Sequence, residues 1–232
     1  MLDWLLAPLS GAASHSIAPW AYWHARLMVL GWAVLLPLGV LAARFYKVTP
    51  RQDWPRVLDN KAWWHTHRAL QWGGVAAMTL GVVIAWNQGT GQSAAAQAHR
   101  WAGWALAGAG WLQIAGGLMR GSKGGPGDAT MRGDHYDMTR SRQAFVRLHK
   151  GLGGLAVVAA VGVVGLGLVV ADAPRWMALV LGLWWLALAL AFSRLQRRGR
   201  CIDTYQAIWG PDRQHPGNRI APVGWGVRRP LG

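Results

Sequence analysis

Apolar residues along this chain fall into blocks, with the charges confined to the stretches between them. Five blocks reach the roughly 20 residues that a helix needs to cross a bilayer. They cover about Trp20–Phe45, Trp64–Trp86, His99–Met119, Leu148–Val170 and Pro174–Phe192. Lipid offers the backbone no hydrogen bonds, so each block is expected as a helix. The fourth, "GLGGLAVVAAVGVVGLGLVV", is rich in Gly, Ala and Val. In water its glycines would argue against helix, but in a membrane small residues let neighbouring backbones approach. Gly73, Gly74, Gly116 and Gly117 fit the same reading. No internal repeat is evident.

The polar stretches give direction. Arg44, Lys47, Arg51, Arg56 and Lys61 lie between blocks one and two. Arg120, Lys123, Arg132, Arg140, Arg142 and Arg147 lie between three and four, and "SRLQRRGR" follows block five. The connection "NQGTGQSAAAQA" has no charge, and the last turn is only "ADAPR". An excess of Lys and Arg marks cytoplasmic loops, which puts the N-terminus outside and the C-terminus in the cytoplasm. The expected organisation is an extracytoplasmic tail over 1–19, a membrane domain over 20–196 and a cytoplasmic tail over 197–232. The start, "MLDWLLAPLSGAAS", lacks a basic n-region and reads as a retained tail. Near the C-terminus, Tyr205, Trp209 and Trp225 are too aromatic for a purely solvating tail and suggest packing on the cytoplasmic face.

Composition then narrows the chemistry. The formal charge of +15 would suggest nucleic acid in a soluble protein, but 53% of the 232 residues are hydrophobic and 17 are tryptophan. With the basic residues in loops between spans, the partner is membrane lipid and not nucleic acid. Cys201 is the single cysteine, so there is no disulfide framework, no C-x-x-C-H for covalent haem, and no cysteine set for zinc or iron–sulfur.

Histidines head four of the blocks: His24, the pair His65/His67, His99 and His149. One histidine at a helix head means little. Alternating helix directions, however, place His24 and His99 near the outer surface and His65/His67 and His149 near the inner one. Two facing imidazoles in a helix bundle are what a b-type haem needs at its axial positions, and they leave no site open for oxygen. From His67 to the level of His99 is about sixteen residues, roughly 24 Å of helix, which leaves room for two macrocycles. A dinuclear metal site, the competing use, would want the histidines together with carboxylates, and the spans contain neither Asp nor Glu. Positions i and i+2 lie about 200° apart, so only one of His65 and His67 faces such a site. His67 shares its face with Gln71, Gly74, Met78 and Gly81, and His65 shares its face with Trp72. Haem propionates need cations or water. Arg26 and Arg100 stand on the outer side, where the topology rule does not ask for them. Arg68, Arg44, Arg120 and Lys150 stand on the inner side, where they read equally as ordinary cytoplasmic charge.

Four stretches, in order, resemble the cytochrome b561 family in its bacterial and DOMON-associated form. They are "HARLMVLGWAVLLPLGVLAARFYKV", "WWHTHRALQ", "HRWAGWALAGAGWLQIAGGLMR" and "VRLHKGLGG", and the resemblance covers about Trp20 to Val170. It implies an all-α integral membrane fold: five transmembrane helices, of which four form the haem-binding bundle and one is an extra C-terminal helix. It implies two non-covalent haem b groups, each held by two histidines, with His24, His67, His99 and His149 as ligands. The family normally has six helices, and this chain shows neither a DOMON domain nor a clear ascorbate pocket. The expected activity is electron transfer across the membrane, between quinol and an outer-face acceptor such as a periplasmic redox protein. Two alternatives stand beside it. One is a haem-edge oxidoreductase acting on ferric chelate, superoxide or quinol. The other is an accessory subunit of a larger respiratory or photosynthetic membrane complex.

Overall fold

A computed structural model describes residues 1–13, 16–89 and 91–230. It is all-helical. The elements are α1 (Leu2–Leu6), α2 (Pro19–Met28), a π-helical stretch Val29–Leu35, α3 (Leu36–Phe45), α4 (Ala62–Ala85), α5 (Ala94–Leu118), α6 (Asp134–Asp137), α7 (Arg140–Val170), α8 (Arg175–Arg197), α9 (Thr204–Trp209) and a 3-10 turn Pro216–Arg219. All five expected helices are present. Four are long and apolar enough to cross a membrane: the continuous run Pro19–Phe45, then α4, α7 and α8. Helix α5 has 25 residues but is not among the four. Gln97, His99, Arg100 and Gln113, together with its tryptophans and glycines, dilute its apolar character.

Helix α7 begins eight residues before the apolar block that announced it. The Thr139 Oγ1 accepts from the Arg142 N–H at 3.3 Å, which caps the first turn. Apolar patterning marks the part of a helix that suits lipid, and a polar first turn lies outside that signal.

By contact the chain forms two compact units, and every long helix contributes residues to both. The first comprises 1–37, 70–111 and 155–190, and the second 38–69, 112–154 and 191–232.

In the first unit, Pro37 has no N–H to return to the carbonyl of Ala33, four residues earlier. The helix widens just before it, with the Leu36 N–H bonded to Gly31 O. The Ala33 carbonyl accepts instead from Trp184 Nε1 at 2.7 Å. Gly31 lies against Gly74: a Cβ on Gly31 would stand 2.8 Å from the Gly74 carbonyl. Around this crossing Trp32, Ala33, Leu36, Met78 and Ala107 are buried. The N-terminal segment is tied down by Ser10, whose N–H and hydroxyl both donate to the Asp172 carboxylate. The Leu9 N–H donates to Ala173 O, and the Arg175 N–H to Ala7 O.

The core of the second unit is aromatic. Tyr136, Met138, Tyr205, Ile208 and Trp209 are buried together, with Trp63 and Ile220 against them. The Tyr205 hydroxyl donates to Tyr136 O at 2.8 Å. Asp203 caps α9, accepting from the Tyr205 N–H, and pairs with Arg229 at 2.6 Å. Gly217 is required where it is, because a Cβ there would stand 2.2 Å from the Tyr205 ring. The 197–232 segment is therefore packed over much of its length.

Candidate functional site

The histidines come together in two pairs, one in each unit. In the first unit the His24 and His99 ring centres lie 6.2 Å apart, with planes at 85°. In the second, His67 and His149 lie 6.4 Å apart at 78°. These separations fit a metal between the rings. A metal–imidazole bond of about 2 Å on each side would need a separation of this order. His65 is exposed and stands outside both pairs, as expected from its helix face.

Backbone carbonyls orient three of the four rings. The Nδ1 of His24 lies 2.9 Å from Gly81 O, that of His67 lies 3.0 Å from Gly39 O, and that of His99 lies 3.1 Å from Val163 O. A carbonyl only accepts, so each Nδ1 must carry the proton, and each neutral ring keeps its lone pair on Nε2. That is the tautomer a metal ligand needs. The fourth ring, His149, meets the side-chain amide of Gln113 at 2.7 Å.

The pattern of glycines explains how the first pair closes up. A Cβ on Gly81 would meet Met28 and Leu27 side chains at 3.0 and 3.3 Å, and one on Gly167 would stand 2.9 Å from His99 Cε1. Gly103, one turn beyond His99, has nothing within 4 Å of where its Cβ would be.

The cations divide by setting. Arg26 lies over Trp23 at 5.1 Å and Tyr22 at 5.8 Å, and Arg100 lies over Trp101 at 5.9 Å. Both arginines are exposed. In the second unit Arg120 and Arg68 share the ring of Trp64, at 4.3 and 5.7 Å, and Trp64 in turn neighbours His67 at 6.3 Å. Arg44 donates to Gln196 Oε1 and Trp225 O, and Lys150 to Val223 O. These two cations are therefore held by the C-terminal segment.

Three further residues take roles in the structure that the sequence reading did not assign them. Gln113 stood in the quoted third stretch without an assigned task. Gln71, placed on the His67 face, donates to Leu36 O at 3.1 Å and so serves helix packing. Lys47 is buried, with Nζ donating to the carbonyls of Arg44 and Ile202 at 3.2 and 3.1 Å. Burial first, and the Lys150 charge second, push its amine down to about 8.

No family model, curated protein or solved structure matches this chain. The functional reading accordingly rests on the paired histidines and their surroundings. Among the described residues, no group of three or more His, Cys, Asp or Glu is placed to hold a metal ion.

Proposed function

We propose that the chain is a transmembrane electron-transfer cytochrome binding two haem b groups, one between His24 and His99 and one between His67 and His149. The observation that carries this reading is the pair of ring separations, 6.2 and 6.4 Å, with Nδ1 of three rings bonded to backbone carbonyls. The donor chemistry fits. Each pair offers two imidazoles, and among the described residues no third His, Cys, Asp or Glu joins either; that is the complement a porphyrin iron lacks. When bound, haem supplies a one-electron iron couple.

The chain's own residues do the rest. His24, His99, His67 and His149 would hold the group, and two imidazole ligands per iron would favour outer-sphere transfer over bond chemistry at the metal. The carbonyls of Gly81, Gly39 and Val163 fix the ring orientations. Arg26 and Arg100 in the first unit, and Arg68 and Arg120 in the second, are the cations proposed to meet propionates, because their guanidinium groups lie over aromatic rings. Arg44 and Lys150 also donate to the carbonyls of Trp225 and Val223.

The four long apolar helices support a multi-pass membrane protein. The basic loops support an N-terminus outside and a C-terminus in the cytoplasm, and the resemblance to the bacterial form of the family is what suggests a bacterial inner membrane. A membrane quinol is the proposed donor, since it reaches the bundle through the lipid, and an outer-face redox protein is the proposed acceptor.

Haem counting tests the assignment. The purified protein should carry two b haems per chain by pyridine haemochrome. His24→Ala and His67→Ala should each keep one, and His65→Ala should keep both. Full haem content in the His67 variant would contradict the ligand set.

A further inference from the structure

Three of the four paired rings rest Nδ1 on backbone carbonyls, which are fixed acceptors. His149 is the exception. Its Nδ1 lies 2.7 Å from the Gln113 amide, which also lies 3.3 Å from the His149 carbonyl and 3.2 Å from the Gly153 N–H. The last two groups are the ends of a single helical i to i+4 step, so the amide is set into the wall of α7 beside the ring.

The two orientations of that amide differ in consequence. With nitrogen toward His149, it donates to Nδ1 and to the His149 carbonyl, while its oxygen accepts from the Gly153 N–H. All three contacts are then satisfied. The ring, however, must carry its proton on Nε2, where a metal would bind. With oxygen toward His149, the amide accepts from Nδ1–H and frees the Nε2 lone pair. It then gives up the other two contacts, because its NH₂ faces the Gly153 N–H and its oxygen faces the His149 carbonyl.

We propose that Gln113 is a positioning residue that sets the tautomer of His149 by the orientation of its amide, so that His149, alone among the four ligands, acquires its metal-binding form by side-chain rotation. The inference rests on the bis-histidine haem reading. The ring's proton count is unchanged: one proton leaves Nε2 and one is carried on Nδ1. The consequence is electronic as well as steric. The partner on Nδ1 tunes how strongly the imidazole donates to iron, so the His67/His149 haem should answer to residue 113 and the His24/His99 haem should not.

Two substitutions separate this from a packing effect. In Gln113→Glu, one carboxylate oxygen accepts from Nδ1–H and the other from the Gly153 N–H, which neither orientation of the amide achieves. The ring becomes the stronger donor and ferric iron is favoured, so one of the two midpoint potentials should fall while the other stays. Gln113→Leu removes the acceptor, and the same component should rise. Both variants are measured by redox titration of the detergent-solubilised protein, with haem counted in each. Loss of one haem from the Leu variant alone would also support the proposal, because only the Glu variant keeps an acceptor. Shifts of the same sign in both variants, equal shifts of both haems, no shift, or haem loss from both variants alike would overturn it. A parent protein without haem would overturn the cytochrome reading itself. Two intact haems indifferent to residue 113 would overturn only the role of Gln113.

Discussion

Burial among cations sets His135 apart from the other histidines. It is 7% exposed, with the Tyr205 and Trp209 rings each 6.0 Å away. Burial first, then the charges of Arg142, Lys123 and Arg120, push its imidazole down to about 3, against the slight opposing pull of Asp59. Between about pH 6.5 and 3 the unfolded chain therefore binds a proton that the folded chain refuses. Stability contributed by neutral His135 is fully present above 6.5 and is lost as pH falls toward 3. At pH 4.5 the loss should reach about 2–3 kcal/mol. His135→Phe keeps the ring and removes the titration, so its thermal midpoint should fall less between pH 7 and 4.5 than that of the parent; equal falls would count against this role. Nothing in "GDHYDM" announced a buried histidine, because its burial comes from α9, some seventy residues later. His67, by contrast, could be separated from His65 on sequence alone, since helix geometry fixes which positions share a face.

At the scale of elements, the apolar blocks gave the five helices, but not their polar ends or the widened turn before Pro37. That turn depends on a long-range partner, the Trp184 indole, which no local pattern reveals. Of the small residues read as signs of close approach, Gly74 does meet a neighbouring helix, with Leu36 2.8 Å from where its Cβ would stand, whereas Gly116 and Gly117 have nothing within 4 Å. A methyl on Gly31 would stand 2.8 Å from the Gly74 carbonyl, whereas one on Gly108 would meet nothing within 4 Å. Backbone cannot swing aside as a flexible side chain can, so Gly31→Ala should cost about 1–3 kcal/mol through helix displacement. Gly108→Ala should be neutral or slightly stabilising. Thermal unfolding of the two variants in the same detergent tests the distinction, and equal midpoints would remove the crossing from the account of packing. The same comparison explains why α5 is glycine-rich without being tightly packed throughout: Gly110 faces Met78, while Gly103, Gly108, Gly116 and Gly117 face open space.

For the whole molecule, the division into blocks and basic loops was readable because lipid and water each impose one simple rule on a chain. The pairing of histidines was readable for the same reason, since helices that alternate in direction bring every second helix head to one side. What the sequence did not disclose was the set of oxygen and amide partners that fix the rings, because Gly81, Gly39 and Val163 act through backbone atoms that every residue has. The central claim is that reducing equivalents cross the membrane through the two histidine pairs. Its most direct test is a proteoliposome with an impermeant oxidant sealed inside and quinol supplied from outside. The account predicts that both haems cycle between oxidised and reduced forms and that the internal oxidant is consumed. His24→Ala and His67→Ala should each abolish that consumption while His65→Ala leaves it intact. Oxidant consumption in either of the first two variants at the parent's rate would contradict the account.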